Sequence, residues 1–235
     1  MRWVSIGKVV LIGVGPGDPE LITLKGLKYL QVADVIVYDK LTPKELLIYA
    51  KPSSEVKYIS DDENEIDILR EYALKVNLVV RLKNGDPYVF GRGGKVCYEL
   101  FKYGIECEVV PGVSSVNSVP AYAGIPLTYQ GISDMITIVS GVTKGGRLFD
   151  FQRIPKSGTL VLLMAGKRIG EISKCLMNRR NPSEDVAIIE RGTYYDQKVI
   201  VTKLKDLYNI NVSSSPSMIV LGDVVKLRNF LWKLS

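Results

Sequence analysis

No histidine occurs in this chain. That excludes a Ser-His or Cys-His nucleophile and any imidazole metal site. Acid-base chemistry must fall to Asp, Glu, Lys, Tyr or a group on the substrate. The residues best placed for chemistry lie between Asn77 and Gly94, N-L-V-V-R-L-K-N-G-D-P-Y-V-F-G-R-G-G. Leu78, Val79, Val80 and Leu82 form a short apolar run that suits a buried strand of a parallel sheet. Asn84-Gly85-Asp86-Pro87 breaks it with turn residues. Gly91, Gly93 and Gly94 then lead into a helical pattern of Val96, Tyr98, Leu100 and Phe101. Strand, glycine-rich loop and helix place this loop at the carboxyl end of a strand, the edge of an open α/β sheet where ligands bind. A tight turn whose glycines serve only backbone geometry is the competing reading.

A second glycine loop, Gly13-Val14-Gly15-Pro16-Gly17-Asp18, invites comparison with dinucleotide-binding turns. The spacing is G-x-G-x-G rather than G-x-G-x-x-G, and Pro16 removes an amide donor. Asp39, at the end of the next strand, is the one feature in favour of a nicotinamide cofactor. No G-x-x-x-x-G-K-[ST] is present, so a P-loop is excluded.

The elements that must position these loops alternate. Val9 to Val14 reads as a strand, Leu24 to Leu30 as a short helix and Ala33 to Tyr38 as a strand. Thr42-Pro43-Lys44-Glu45 has the form of a capping box, predicting a helix to about Ala50. Val56 to Ile59 is a third strand, followed by an acidic loop at Asp61 to Glu63. Ile66, Leu69, Tyr72, Ala73 and Val76 have helical spacing, and Glu106 to Val110 is a further strand. This alternation predicts a mostly parallel sheet with helices on its faces. Ser114 to Ala123 reads as a helix with Ser114 as its cap. Strands then dominate, at Met135 to Val139, Leu160 to Met164, Val186 to Glu190, Val199 to Thr202 and Met218 to Leu221, with one helix around Ile169 to Asn178. The reading is two α/β domains, 1–113 with a mostly parallel sheet and 114–235 with a mixed sheet.

Composition bounds the function classes. The chain has 235 residues and a net charge of +6, with lysine and arginine scattered rather than clustered. Nucleic acid is therefore not indicated. No apolar run approaches the roughly 20 residues of a membrane span, and Met1 to Lys8 is too short and mixed for a signal peptide. Cys97, Cys107 and Cys175 form no C-x-x-C pair. Reduced thiols in a cytoplasmic protein, with no structural metal, are the expectation.

Taken in order, V-G-P-G-D-P-E-L-I-T-L-K-G-L (14–27), A-D-V-I-V-Y-D-K-L (33–41), R-L-K-N-G-D-P-Y-V-F-G-R-G-G (81–94), V-P-G-V-S-S (110–115) and A-G-I-P-L-T (123–128) resemble the tetrapyrrole methyltransferase family. T-L-V-L-L-M-A-G (159–166), A-I-I-E-R-G-T (187–193) and S-M-I-V-L-G-D-V-V (217–225) extend the resemblance over nearly the whole chain. Y-D-K-L points to the uroporphyrinogen-III C-methyltransferase branch. The resemblance implies two α/β domains with S-adenosylmethionine in the cleft between them, a homodimer, and S-adenosylhomocysteine as product. It implies cofactor contacts at Pro16, Asn84, Gly85, Asp86, Val89, Ser114, Ser115, Met164 and Gly192. It also implies that Asp39 is the proton acceptor of the reaction, the competing reading being a turn aspartate. Arg81, Lys83 and Arg92 are candidates for holding substrate carboxylates, since arginine forks suit them.

The pattern breaks in two places. The branch usually carries a lysine where Ser60 stands, within Y-I-S-D-D-E-N-E (58–65), and L-T-H-R where this chain has Leu127-Thr128-Tyr129-Gln130. Both losses fall on the macrocycle side. Tyr129 is the candidate replacement donor, with Lys57 or Lys83 supplying charge. A methyltransferase acting on a later precorrin and a non-catalytic S-adenosylmethionine-binding protein are the alternatives.

Overall fold

The computed structural model describes residues 6–143, 145–212 and 216–234. The chain divides into two compact units, Met1–Ser115 and Val116–Ser235.

Unit 1 holds strands β1 (Lys8–Gly13), β2 (Val35–Tyr38), β3 (Glu55–Tyr58), β4 (Leu78–Lys83) and β5 (Cys107–Val110), with helices α1 (Leu24–Val32), α2 (Glu65–Ala73) and α3 (Gly93–Phe101) between them. The strands pair in the order β3-β2-β4-β1-β5, and every pairing is parallel. Because side chains alternate along a strand, each strand feeds both faces. Val9, Leu11, Val35, Val37 and Val79 pack with Leu69 and Ala73 of α2 and Val96 and Leu100 of α3. Val10, Ile12, Ile36, Val80 and Leu82 pack with Leu30 of α1 and with Leu46. Burial on both faces is what the continuous apolar runs in the sequence encode.

Unit 2 holds α4 (Ser115–Tyr122, whose first residue belongs to unit 1), β6 (Ile136–Ser140), β7 (Thr159–Leu163), α5 (Ile169–Met177), β8 (Asp185–Glu190), β9 (Lys198–Lys203) and β10 (Ser217–Leu221). Its sheet has the order β6-β7-β10-β8-β9. β6 and β7 are parallel, and the remaining pairings are antiparallel, so the sheet is mixed. One face is covered by Ile169, Ile172 and Leu176 of α5. The other is covered by Val119 and Ala123 at α4 and by Val224 and Val225.

Two expectations are corrected. The segment after Thr42 is a 3₁₀ stretch, Lys44–Tyr49, with Pro43 at its N-cap and no side-chain cap. Thr42 Oγ1 is buried without a hydrogen-bond partner, so the capping box does not form. The second correction concerns redox state. Cys97 on α3 and Cys107 on β5 are joined in a disulfide, with Cα atoms 5.2 Å apart. Only the partly buried Cys175 is a free thiol among the described cysteines. The short turn from α3 into β5 brings the pair together within one core cluster. By loop-closure entropy, a crosslink over so short a span stabilises unit 1 by about 2–3 kcal/mol. Cys97→Ser is therefore expected to lower the unfolding temperature by about 10 °C. Differential scanning calorimetry checks this, and an unchanged midpoint would show that the crosslink contributes nothing.

No helix among the described residues is long and apolar enough to cross a membrane. Nor do His, Cys, Asp and Glu side chains among them gather into a metal-binding group.

Candidate active site

All-parallel strands bring their carboxyl ends to one edge of unit 1, which is where ligands bind in open α/β sheets. Pro16, Asp39, Asn84, Gly85, Asp86, Val89, Ser114 and Ser115 all follow the ends of β1, β2, β4 or β5. The loops there are tied to one another. Gly85 N–H donates to Gly15 O at 2.8 Å. The Asn84 side-chain amide donates to Pro16 O and Leu41 O, each at 3.0 Å. Asp86 accepts from Tyr88 N–H at 2.7 Å and Gly112 N–H at 3.0 Å. The polar groups of Asn84 and Asp86 thus serve first as clips between loops. Gly85 has φ +64°, and an added Cβ would lie 3.5 Å from Ser115 N. Gly112 sits against Gly13 and the Gly85 carbonyl at a distance that admits no side chain.

Beneath this edge lies a buried charge network. Arg81 and Lys83, two apart on β4, point to the same face and are almost fully buried. Arg81 Nη2 donates to Asp39 Oδ2 at 2.6 Å and its Nε to Glu65 Oε1 at 2.6 Å. Arg81 Nη1 donates to Leu82 O. Lys83 Nζ meets the same Glu65 oxygen at 2.5 Å. Asp39 Oδ1 accepts from Leu41 N–H at 2.9 Å. Burial opposes ionisation of Glu65, but the charges of Arg81 and Lys83 outweigh it and hold that carboxyl below the usual range. Burial, helped by the Arg81 charge, pushes the Lys83 ammonium down. The sequence alone assigns Arg81 and Lys83 to substrate carboxylates. The structure commits both to the protein's own carboxylates, and the burial of both side chains is the physical reason. Glu65 is a residue that sequence reasoning misses. The available signal is an arginine and a lysine with period 2 inside an apolar central strand, which demands a buried anion nearby.

Arg92 differs. It is exposed, with φ +59° as the N-cap residue of α3. With Tyr88, Phe90, Gly93 and Gly94 it lines a concavity of about 500 Å³. Val89 lies in the same loop and is partly exposed.

In unit 2, β7 and β8 both run antiparallel to β10, so their carboxyl ends share one edge. Met164 follows β7 and is 55% exposed. Gly192 follows β8 and is buried against Val119. Tyr129 lies in a turn closed by its amide on Ser133 O at 2.9 Å, with its ring half exposed. Among the described residues, the non-glycine residues with positive φ are Phe90, Arg92, Met164, Arg191 and Thr193. Such conformations cost of order 1–3 kcal/mol each and cluster at functional sites. They fall at Met164 itself and beside Val89 and Gly192, and no residue type in the sequence announces them.

On the side where the pattern breaks, Ser60 donates through its amide (2.8 Å) and its hydroxyl (3.1 Å) to Glu63 Oε2. Lys57 is paired with Glu63 Oε1 at 2.9 Å.

Comparison with known proteins now decides the family. The profile described as Tetrapyrrole (Corrin/Porphyrin) Methylases matches residues 8–208. This chain is a tetrapyrrole methylase. It is 43% identical to the uroporphyrinogen-III C-methyltransferase of Methanocaldococcus jannaschii, over 94% of this chain and 98% of that protein. It is 42% identical to the S-adenosyl-L-methionine-dependent uroporphyrinogen III methyltransferase of Methanosarcina barkeri, over 97% and 95% of the two chains. The crystal structure of uroporphyrin-III C-methyl transferase from Thermus thermophilus, complexed with S-adenyl homocysteine, superposes with a TM-score of 0.86 at 37% identity, covering 94% of each chain. As a tetrapyrrole methylase the chain places its sequence-predicted residues on the carboxyl edges of both sheets, except that Tyr129 lies in a turn and Arg81 and Lys83 lie beneath the edge.

Proposed function

We propose that this tetrapyrrole methylase transfers methyl groups from S-adenosylmethionine to ring carbons of uroporphyrinogen III, giving precorrin-2 by way of precorrin-1 in siroheme or cobalamin biosynthesis. The observation that carries the reading is the near full-length identity with uroporphyrinogen methyltransferases, together with a carboxylate, Asp39, held at the ligand edge.

When bound, S-adenosylmethionine supplies a methyl group on a positively charged sulfur, which is already a strong electrophile. The residues at the carboxyl edge of each unit suit parts of such a group. Its ribose and amino-acid ends need small residues and polar donors. Gly85, Ser114, Ser115 and the Pro16 loop provide close backbone approach, and Val89 and Met164 provide apolar surface. Gly192, beside the strained Arg191 and Thr193, is a further candidate in unit 2. Asn84 and Asp86 hold the loops that make the approach possible.

The protein's own tasks are orientation and proton handling. Holding reactants in line supplies roughly 7–11 kcal/mol in favourable cases. Addition of a methyl to a ring carbon obliges the macrocycle to give up a proton. Asp39 is the acceptor: each of its oxygens takes one protein hydrogen bond, and a carboxylate has further lone pairs to offer. Arg92, exposed and positively charged, serves the substrate's carboxylates, and Tyr129 stands where the branch has a histidine. The assembly is a homodimer in the cytoplasm on this reading, as in the family it resembles.

The test is an anaerobic assay with labelled S-adenosylmethionine, uroporphyrinogen III and the purified protein, with the product identified by mass. A gain of two methyl groups is expected. Binding of S-adenosylmethionine without transfer would overturn the substrate assignment and move the search to later precorrins.

A further inference from the structure

The buried network under Asp39 assigns work to a residue outside the reading above. We propose that Glu65 is a positioning residue for methyl transfer: it fixes the Arg81 guanidinium so that one nitrogen is presented to Asp39, and it cancels the excess positive charge beneath that base. The inference rests on the reading of Asp39 as proton acceptor.

The geometry carries it. A guanidinium is a planar fork whose donors stand at fixed angles. Glu65 Oε1 at 2.6 Å from Nε therefore dictates where Nη2 points, and Nη2 points at Asp39 Oδ2, also at 2.6 Å. The Leu82 carbonyl takes Nη1 and closes the third direction. Glu65 itself is fixed as the first residue of α2, whose N-cap Asn64 accepts from Ile66 N–H at 3.1 Å. The charge sum explains the second role. Arg81 and Lys83 carry two positive charges in a buried place, and Glu65 touches both. Without it, Asp39 would face them with one negative charge of its own. Buried cations without a counter-charge are costly, and one carboxylate cannot compensate two of them. Lys40, next to Asp39 in the chain, is itself paired with Asp61, and the charges of Tyr58 and Asp39 act on it as well. Arg92 acts on Lys83 from the loop beyond.

Glu65→Gln tests this in single-turnover methyl transfer at saturating substrate. The expected result is a rate about fivefold lower, with KM for the macrocycle and S-adenosylmethionine affinity unchanged. Glu65→Asp restores the charge but not the reach, so it recovers only part of the rate. Should Glu65→Gln fail to fold, Glu65→Gln with Lys83→Met removes one cation along with the anion, and it is expected to fold with the same reduced rate. A normal rate in whichever variant folds would overturn the proposal. Asp39→Asn run alongside separates the two ideas. Normal turnover in that variant sinks the base assignment itself. Lost turnover there, with Glu65 variants like wild type, sinks only the positioning role.

Discussion

Asp39→Asn retains S-adenosylmethionine binding and loses about 10²- to 10⁴-fold in the rate of methyl transfer, the range typical of a positioned general base. The substitution is close to isosteric, so the fold has little reason to change. The carboxamide keeps one acceptor oxygen, which can serve either Leu41 N–H or Arg81, the two donors that Asp39 now satisfies. Arg81 keeps its ion pair with Glu65. What disappears is the ability to take a proton, a loss equivalent to about 3–5.5 kcal/mol of barrier. Calorimetric titration of S-adenosylmethionine and a quenched single-turnover assay measure the two quantities separately. A variant that turns over normally would show that another group accepts the proton.

Gly112→Ala costs about 3 kcal/mol of stability and weakens S-adenosylmethionine binding. An added Cβ at this position would lie 2.3 Å from the Gly85 carbonyl oxygen and 2.5 Å from the Gly13 carbonyl carbon. Both obstacles are backbone, which cannot rotate away as a side chain would. Relief requires the loops after β1, β4 and β5 to separate, and these loops form the candidate ligand edge. Overpacking of this kind typically costs about 1–3 kcal/mol, at its upper end where nothing can yield. The unfolding temperature is expected to fall by about 6–12 °C. Gly94→Ala is the control, since nothing lies within 4 Å of its Cβ position and alanine favours a helix by up to about 1 kcal/mol. Equal stability of the two variants would refute the close-packed reading of Gly112.

The strands are legible in the sequence because apolar, β-branched runs between turn signals have few alternatives. The sequence ranges for β7, β8, β10 and α5 differ from the structure by a residue or so at each end. The capping box at Thr42 misleads because the pattern is local, while Thr42 is turned inward and buried. The disulfide is invisible because a spacing of this kind is no motif, and only the packing of α3 beside β5 brings Cys97 to Cys107. Arg81 and Lys83 look like substrate ligands when read by charge alone. Their place on a central strand is the stronger information, since a cation there must be neutralised from within the protein. The strained backbone at Met164, Arg191 and Thr193 has no legible cause, because side-chain type argues against it.

The strand order of unit 1 has a consequence for how the protein is made. β1 is made before the other strands of unit 1, yet its partners are β4 and β5. β2 also waits for β4, although β3 joins it sooner. The growing chain therefore carries the apolar run Val9 to Ile12 without its full set of neighbours until Val110 has been synthesised. Parallel pairings across such separations form slowly, because loop closure is unfavourable until the contacts it permits are made. Within unit 1, β1 is thus the strand most exposed to misassociation during synthesis. A chaperone that captures nascent chains would find its best target there, and a shortened chain ending before β5 would leave that strand with an open edge.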